Sequence, residues 1–242
     1  TIKRDDQEPF DVSIVRDAVV TPMVASEMRD DGIAYIQLTQ FGDLTVEELQ
    51  QALDDLLPQN PKGLILDLRN NGGGYVDTCV SVASKFLPKD SLVLIEEAGD
   101  GSRTEYHTKE DPVVDPDLPI VVLGNEGTAS ASEILIGALQ YYHRATFVGV
   151  QTFGKGSMQI QPELSNGGAV SITIAHWLTP AGKLIHKVGI TPDVVVEMSD
   201  ADVEAGKDPQ LDAAAQILLT GKIPEEPSVP QKNTEENGET GL

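Results

Sequence analysis

The chain has 242 residues, 40% of them apolar, and a formal net charge of −22. That is enough to bury a substantial core in one domain with appendages, and it is far from the basic footprint that nucleic-acid binding needs. The single cysteine, Cys79, excludes an internal disulfide framework and a multi-cysteine metal site, and the four histidines show no metal-ligand spacing. No run reaches the roughly eighteen apolar residues of a membrane helix.

Taken in order, residues 1–16 carry two short extended patterns, Thr1–Arg4 and Pro9–Val15, the second with Phe10, Val12 and Ile14 on one face. After a polar stretch, Ile33–Leu38 reads as a buried strand. Thr45-Val46-Glu47-Glu48 fits a capping box at a helix start. Val46, Leu49, Leu53, Leu56 and Leu57 supply that helix's apolar stripe, and Pro58 ends it. Gly63–Leu68 is a continuously apolar run, as in a strand covered on both faces. It ends in Arg69-Asn70-Asn71-Gly72-Gly73-Gly74, after which Val76, Cys79, Val80, Ala83 and Leu87 recur at helical spacing.

Val93–Glu97 and Arg103–Thr108 read as strands joined by a Gly99–Gly101 hairpin turn. Leu118–Leu123 followed by the helical stretch Ile134–Leu139 repeats the strand–turn–helix plan, and Thr146–Val150 starts another strand. Such alternation predicts an α/β fold of βαβ units with a largely parallel sheet. Beyond Lys155 the pattern changes to β-hairpins, Ser157–Gln161 and Ala169–Leu178 around Asn166-Gly167-Gly168. Thr191-Pro192-Asp193 turns into Val194–Val196, and Asp208-Pro209 opens a helix bearing Leu211, Ala214, Ala215 and Leu218. From Gly221 onward three prolines, five glutamates and almost nothing apolar predict a disordered tail.

In open α/β sheets, sites form beyond the carboxyl ends of the strands. Two strands end in small-residue turns, Asn70–Gly74 and Asn125–Ser130. If those strands are neighbours, the turns share a crevice in which glycine lets backbone N–H groups point inward, as an oxyanion hole requires. Ser130 has two readings, a helix N-cap paired with Glu133 in S-x-x-E or a nucleophile, and Thr128 and Ser132 are competing hydroxyls. Lys155, in Phe153-Gly154-Lys155-Gly156, has a bulky apolar neighbour and no carboxylate within three residues. Apolar surroundings favour a neutral amine, which suits a general base for a serine. Strand alternation would bring Gln159 to the same face, where it orients the amine.

Other chemistries fit less well. Gly149–Gly156 matches a P-loop except at its last position, where Gly156 stands in place of the required Ser or Thr. His107, His143, His176 and His186 sit in no triad context. Asp67 and Arg69 read as a structural clasp.

Four segments in order, Gly63–Arg69 with its Asn/Gly turn, Asn125–Glu133, Thr152–Gln159 and Gly189–Asp193, resemble the carboxyl-terminal processing proteases, the S41 serine peptidases. The resemblance covers roughly residues 30–200. It implies a ClpP- or crotonase-like α/β core followed by β-hairpins. It implies a Ser-Lys dyad of Ser130 and Lys155 supported by Gln159, with the oxyanion held by the amides of Ala131 and Gly73. It further implies a serine endopeptidase that needs no cofactor or metal and cleaves polypeptides near a free C-terminus outside the cytoplasm, without nucleic-acid partners.

A PDZ domain engages the substrate in such proteins. Here Thr1–Arg4 resembles only the final strand of one, and the chain lacks an initiator Met and a legible signal peptide. The expected organisation is therefore a PDZ remnant and connecting strand over 1–16, the peptidase core over 17–200, a C-terminal helix over 201–220 and the acidic tail over 221–242. The turn departs from the common family pattern by lacking proline before its glycine pair. A non-catalytic binding module on the same core and a Ser-Lys esterase or amidase are the alternatives.

Overall fold

The structure, a computed structural model, describes residues 1–5, 7–13, 15 and 21–223. It is built on a six-stranded sheet in the order β1-β2-β3-β6-β7-β10, formed by β1 (Val24–Met28), β2 (Ala34–Leu38), β3 (Leu64–Asp67), β6 (Ile120–Gly124), β7 (Thr146–Gly149) and β10 (Val194–Val195). Only β1 runs antiparallel to its neighbour. Helices α1 (Thr45–Leu56), α2 (Val76–Ala83) and α3 (Ala131–Tyr141) supply the crossovers that parallel pairing requires.

The apolar runs of β3 and β6 are buried throughout because the sheet is covered on both faces. Leu64 and Leu66 pack with α1, α2 and α3, whereas Ile65 points oppositely to pack with Val121, Val148 and the alanine face of α5 (Pro209–Thr220). The 201–220 stretch, expected as one helix, holds two, α4 (Asp200–Glu204) and α5, the latter capped by the Asp208 side chain accepting from Leu211 N–H.

A second sheet is antiparallel, in the order β5-β4-β9-β8, from β4 (Leu92–Ala98), β5 (Arg103–His107), β8 (Ser157–Ile160) and β9 (Ile172–Leu178). Val93, Leu94 and Trp177 bring it into the same core as α2 and α3. The mixed α/β class expected from alternation is therefore the one observed, hairpins after Lys155 included.

Three local expectations are corrected. Thr45 is not an N-cap: its hydroxyl accepts from Gly42 N–H and donates to the Gln40 carbonyl, while Glu48 accepts the N–H groups of Met23 and Val24. The pair fastens β1 to α1 instead of closing a box. Strand β1, inside the stretch read as polar, escaped because it is an edge strand whose central residues are exposed, so it has no apolar alternation. Among the described residues the extended pattern around Phe10 forms only an isolated antiparallel bridge from Ile2 to Phe10. Ile14, residues 16–20 and the tail from 224 onward lie outside the described residues.

Candidate active site

Adjacency of β3 and β6, in register from Leu64↔Ile120 to Asp67↔Leu123, puts both small-residue turns at one end of the sheet. They are knitted together. Asn70 N–H donates to Asn125 Oδ1 at 2.9 Å, the Asn125 amide returns a bond to Asn70 Oδ1, and Ala129 N–H donates to the Asn71 carbonyl. Below them, Arg69 forks onto the fully buried Asp67, with Nη2 2.6 Å from Oδ2, and reaches Asp208 at the start of α5. The clasp read from the sequence is thus extended to a second element.

The turn after β6 settles which hydroxyl is free. Thr128 Oγ1 donates to the Leu68 carbonyl at 2.8 Å and Ser132 Oγ donates to the Asn71 carbonyl at 3.0 Å. Ser130 Oγ makes no hydrogen bond among the described residues. Ser130 is the N-cap of α3 and forms the expected capping box with Glu133, its own N–H donating to the Glu133 carboxylate at 2.8 Å, while Glu133 N–H makes its hydrogen bond to the Ser130 carbonyl at 2.9 Å. Ser130 has φ 60° and ψ −120°, a conformation that L side chains rarely adopt. Strain of this kind on a strand-to-helix turn lifts a side chain away from its own backbone, as in nucleophile elbows.

Glu133 carries a role that the sequence did not reveal. Its carboxylate is fully buried and accepts from Ser130 N–H (2.8 Å), Thr152 Oγ1 (2.6 Å), Gly154 N–H (2.6 Å) and Lys155 N–H (2.8 Å). One anion thereby fixes the serine turn and the lysine turn to each other. Thr152 Oγ1 in turn accepts from Ile190 N–H at 2.7 Å, and Asp193 accepts from Phe147 N–H at 2.8 Å, so the Gly189–Asp193 segment buttresses the lysine turn. Locally, S-x-x-E signals only a cap; the partners at 152–155 come from another part of the chain.

Ser130 and Lys155 line one cavity of about 430 Å³ with Thr39, Gln40 and Gly72–Gly74. No hydrogen bond joins them among the described residues. The apolar setting expected for Lys155 is not found: Lys155 is exposed, and Phe153 turns outward at 67% exposure. The physical reason is its place on an extended turn between two glycines, at the cleft mouth. Gln159 lines the cleft that also reaches Lys155, yet it bonds Ser171 Oγ at 3.1 Å instead of the lysine. The one-residue register shift here falls on β9, where Ile174 is the extra residue, so β8 keeps its alternation and Gln159 stays in the cleft it shares with Lys155.

Of the two amides expected to face the oxyanion, Ala131 N–H has no acceptor among the described residues. Gly73 lies against it, since a Cβ built on Gly73 would sit 2.6 Å from Ser130 Cβ and 2.8 Å from Ala131 N. Gly73 N–H, however, donates to Asn71 Oδ1 at 2.9 Å, and Asn71 is itself buried and anchored through Nδ2 to the Leu38 carbonyl. Nothing in the run of glycines signals that competitor.

Fold and site together define an α/β protein in which a strained serine and a lysine line a glycine-walled cleft, a constellation suited to acyl transfer. The chain belongs to peptidase family S41, whose family model matches residues 32–196. It is 40% identical over 204 residues to the carboxy-terminal processing protease CtpA of Bacillus subtilis, covering 84% of this chain and 42% of that protein. To the carboxyl-terminal-processing protease of Synechocystis sp. it is 39% identical over 220 residues, 88% of this chain and 51% of that one.

Among solved structures, the photosystem II D1 C-terminal processing protease superposes with a TM-score of 0.69 at 33% identity, over 85% of this chain and 55% of that chain. The chain spans about half the length of these relatives. Among the described residues no helix is long and apolar enough to cross a membrane.

Proposed function

We propose that this chain is the catalytic core of a serine endopeptidase that processes polypeptides near their C-termini with a Ser-Lys dyad. One observation carries the reading: of the three hydroxyls in the small-residue turn, only that of Ser130 has no hydrogen-bond partner among the described residues, and Ser130 lines the cavity that Lys155 also lines. Ser130 Oγ attacks the peptide carbonyl, Lys155 takes its proton, and the resulting ammonium protonates the leaving amine. Water, deprotonated by the same lysine, then releases the acyl group. Ala131 N–H holds the oxyanion first; Gly73 N–H joins it by exchanging its Asn71 partner. Gln159, once it leaves Ser171, supports the lysine.

The processing assignment is supported by the names of the relatives, and an extracytoplasmic location is proposed from the family resemblance, one relative, from Tetradesmus obliquus, being named chloroplastic. Thr1–Arg4 is read as the end of a PDZ domain that delivers the substrate.

The test compares cleavage of an unfolded polypeptide by wild type, Ser130→Ala and Lys155→Ala, with a serine-directed covalent probe alongside. Both variants are expected to lose nearly all turnover, and Ser130→Ala to lose labelling. Cleavage undiminished in Lys155→Ala rejects the dyad, and labelling moved to Ser132 rejects the nucleophile. Turnover of a short ester without any polypeptide cleavage would select the esterase alternative.

A further inference from the structure

From Ser130 and Lys155 the cleft continues over the four-stranded sheet as a cavity of about 840 Å³. Glu96 on β4 and Trp177 on β9 are register partners, so their side chains leave the same face of the sheet. Trp177 and Met158 give this part of the cleft an apolar surface, and Tyr106 stands beside Glu96. Tyr106 O–H donates to Glu96 Oε2 at 2.8 Å, which orients the half-buried carboxylate. Its Oε1 has no partner among the described residues. The other charged groups lining the cavity are Asp43, Asp77 and Lys155, and the lysine is assigned to the serine.

We infer that Glu96 selects a basic side chain of the substrate, a lysine or arginine beside the scissile bond. The aliphatic stem lies along Trp177 and Met158 while the cationic head meets the free oxygen of Glu96. An apolar residue there strips water from a carboxylate without replacing its hydrogen bonds, and an acidic one adds repulsion; a cation restores the lost solvation with a charge-assisted bond. Asp43 and Asp77 add a field of the same sign. The inference rests on the peptidase reading of Ser130 and Lys155, and it narrows the substrate class.

The test uses Ser130→Ala protein and labelled peptide pairs, identical except for Lys or its uncharged near-isostere Met at each position flanking the cleaved bond. At one position Lys is expected to bind about tenfold tighter. That advantage should shrink at high salt, disappear on acetylating the peptide lysine, and disappear in Ser130→Ala/Glu96→Gln. Absence of a Lys advantage at every position, or an advantage that survives both Glu96→Gln and acetylation, overturns the inference. Wild-type turnover of the same peptides separates the two readings. Charge-dependent binding without turnover upholds the Glu96 site and removes the peptidase; turnover without discrimination does the opposite.

Discussion

The carboxylate of Glu133 accepts the backbone N–H of Lys155 at 2.8 Å, across the interface between the third helix and the lysine turn. Through its bond to Ser130 N–H the same carboxylate sets the spacing of the two side chains proposed to react. Glu133→Ala leaves three buried donors and the half-buried Lys155 N–H without their acceptor, and a loss of about 3 kcal/mol or more is expected in urea unfolding. Glu133→Gln keeps the shape but turns an NH₂ toward one of those donors. Its kcat on an unfolded polypeptide should fall about a hundredfold with little change in KM. A proportionate rise in KM with kcat preserved would show that Glu133 does not position the dyad.

Gly73 is held at φ +97° with its missing Cβ against Ser130, Ala129 and Ala131. Gly73→Ala should therefore both strain the turn, by about 1 kcal/mol or more, and push the serine off its amide donors. Loss of roughly 10²–10³ in kcat is the expected scale for a damaged oxyanion site. A thermal melt reads the first effect and single-turnover acylation the second. Normal acylation in a folded Gly73→Ala protein would remove this turn from the oxyanion site.

Arg69 binds Asp67 and Asp208 together, and burial alone would lower its pKa, but those two carboxylates hold it above the ordinary arginine value. Replacing Arg69 with Met strands the fully buried Asp67 as an unpaired charge, with only Tyr35 O–H left as a side-chain donor. The expected cost is about 3–5 kcal/mol, visible as an earlier urea midpoint. A shift within about 0.5 kcal/mol of zero, the usual range for a surface substitution, would mean the clasp is dispensable.

Cys79 lies beneath the serine turn, its Sγ donating to the Ala131 carbonyl at 3.2 Å. Burial raises its thiol well above the ordinary value. Below the unfolded thiol's pKa, about 8.5, both states keep the proton and the folded state retains its full advantage. As pH rises from there toward the folded pKa, the unfolded chain alone ionises and stability falls, by up to about 1.4 kcal/mol per pH unit. Urea unfolding from pH 7 to 10 should show a steeper alkaline loss in wild type than in Cys79→Ala. Equal slopes would contradict the buried neutral thiol, as would rapid thiol labelling of the folded protein.

Periodicity and small-residue turns are local, and they sufficed for the repeated strand–turn–helix units, the hairpins after Lys155 and the pair Ser130 and Lys155 as candidates. β3 and β6 were legible because strands buried on both faces are apolar at every position. β1 was not legible because an exposed edge strand has no such constraint.

Contacts between distant segments decided the rest. Leu68 and Asn71 occupy the hydroxyls of Thr128 and Ser132, leaving that of Ser130 without a partner among the described residues. Asn71 occupies the Gly73 amide, and Ser171 occupies the side chain of Gln159 in the cleft it shares with Lys155. Glu133 reads in one dimension as a helix cap; only the folded chain brings Thr152, Gly154 and Lys155 to its carboxylate. Sequence thus determined which side chains were available for the chemistry. Tertiary hydrogen bonding, which no local pattern encodes, decided which of them has no partner among the described residues.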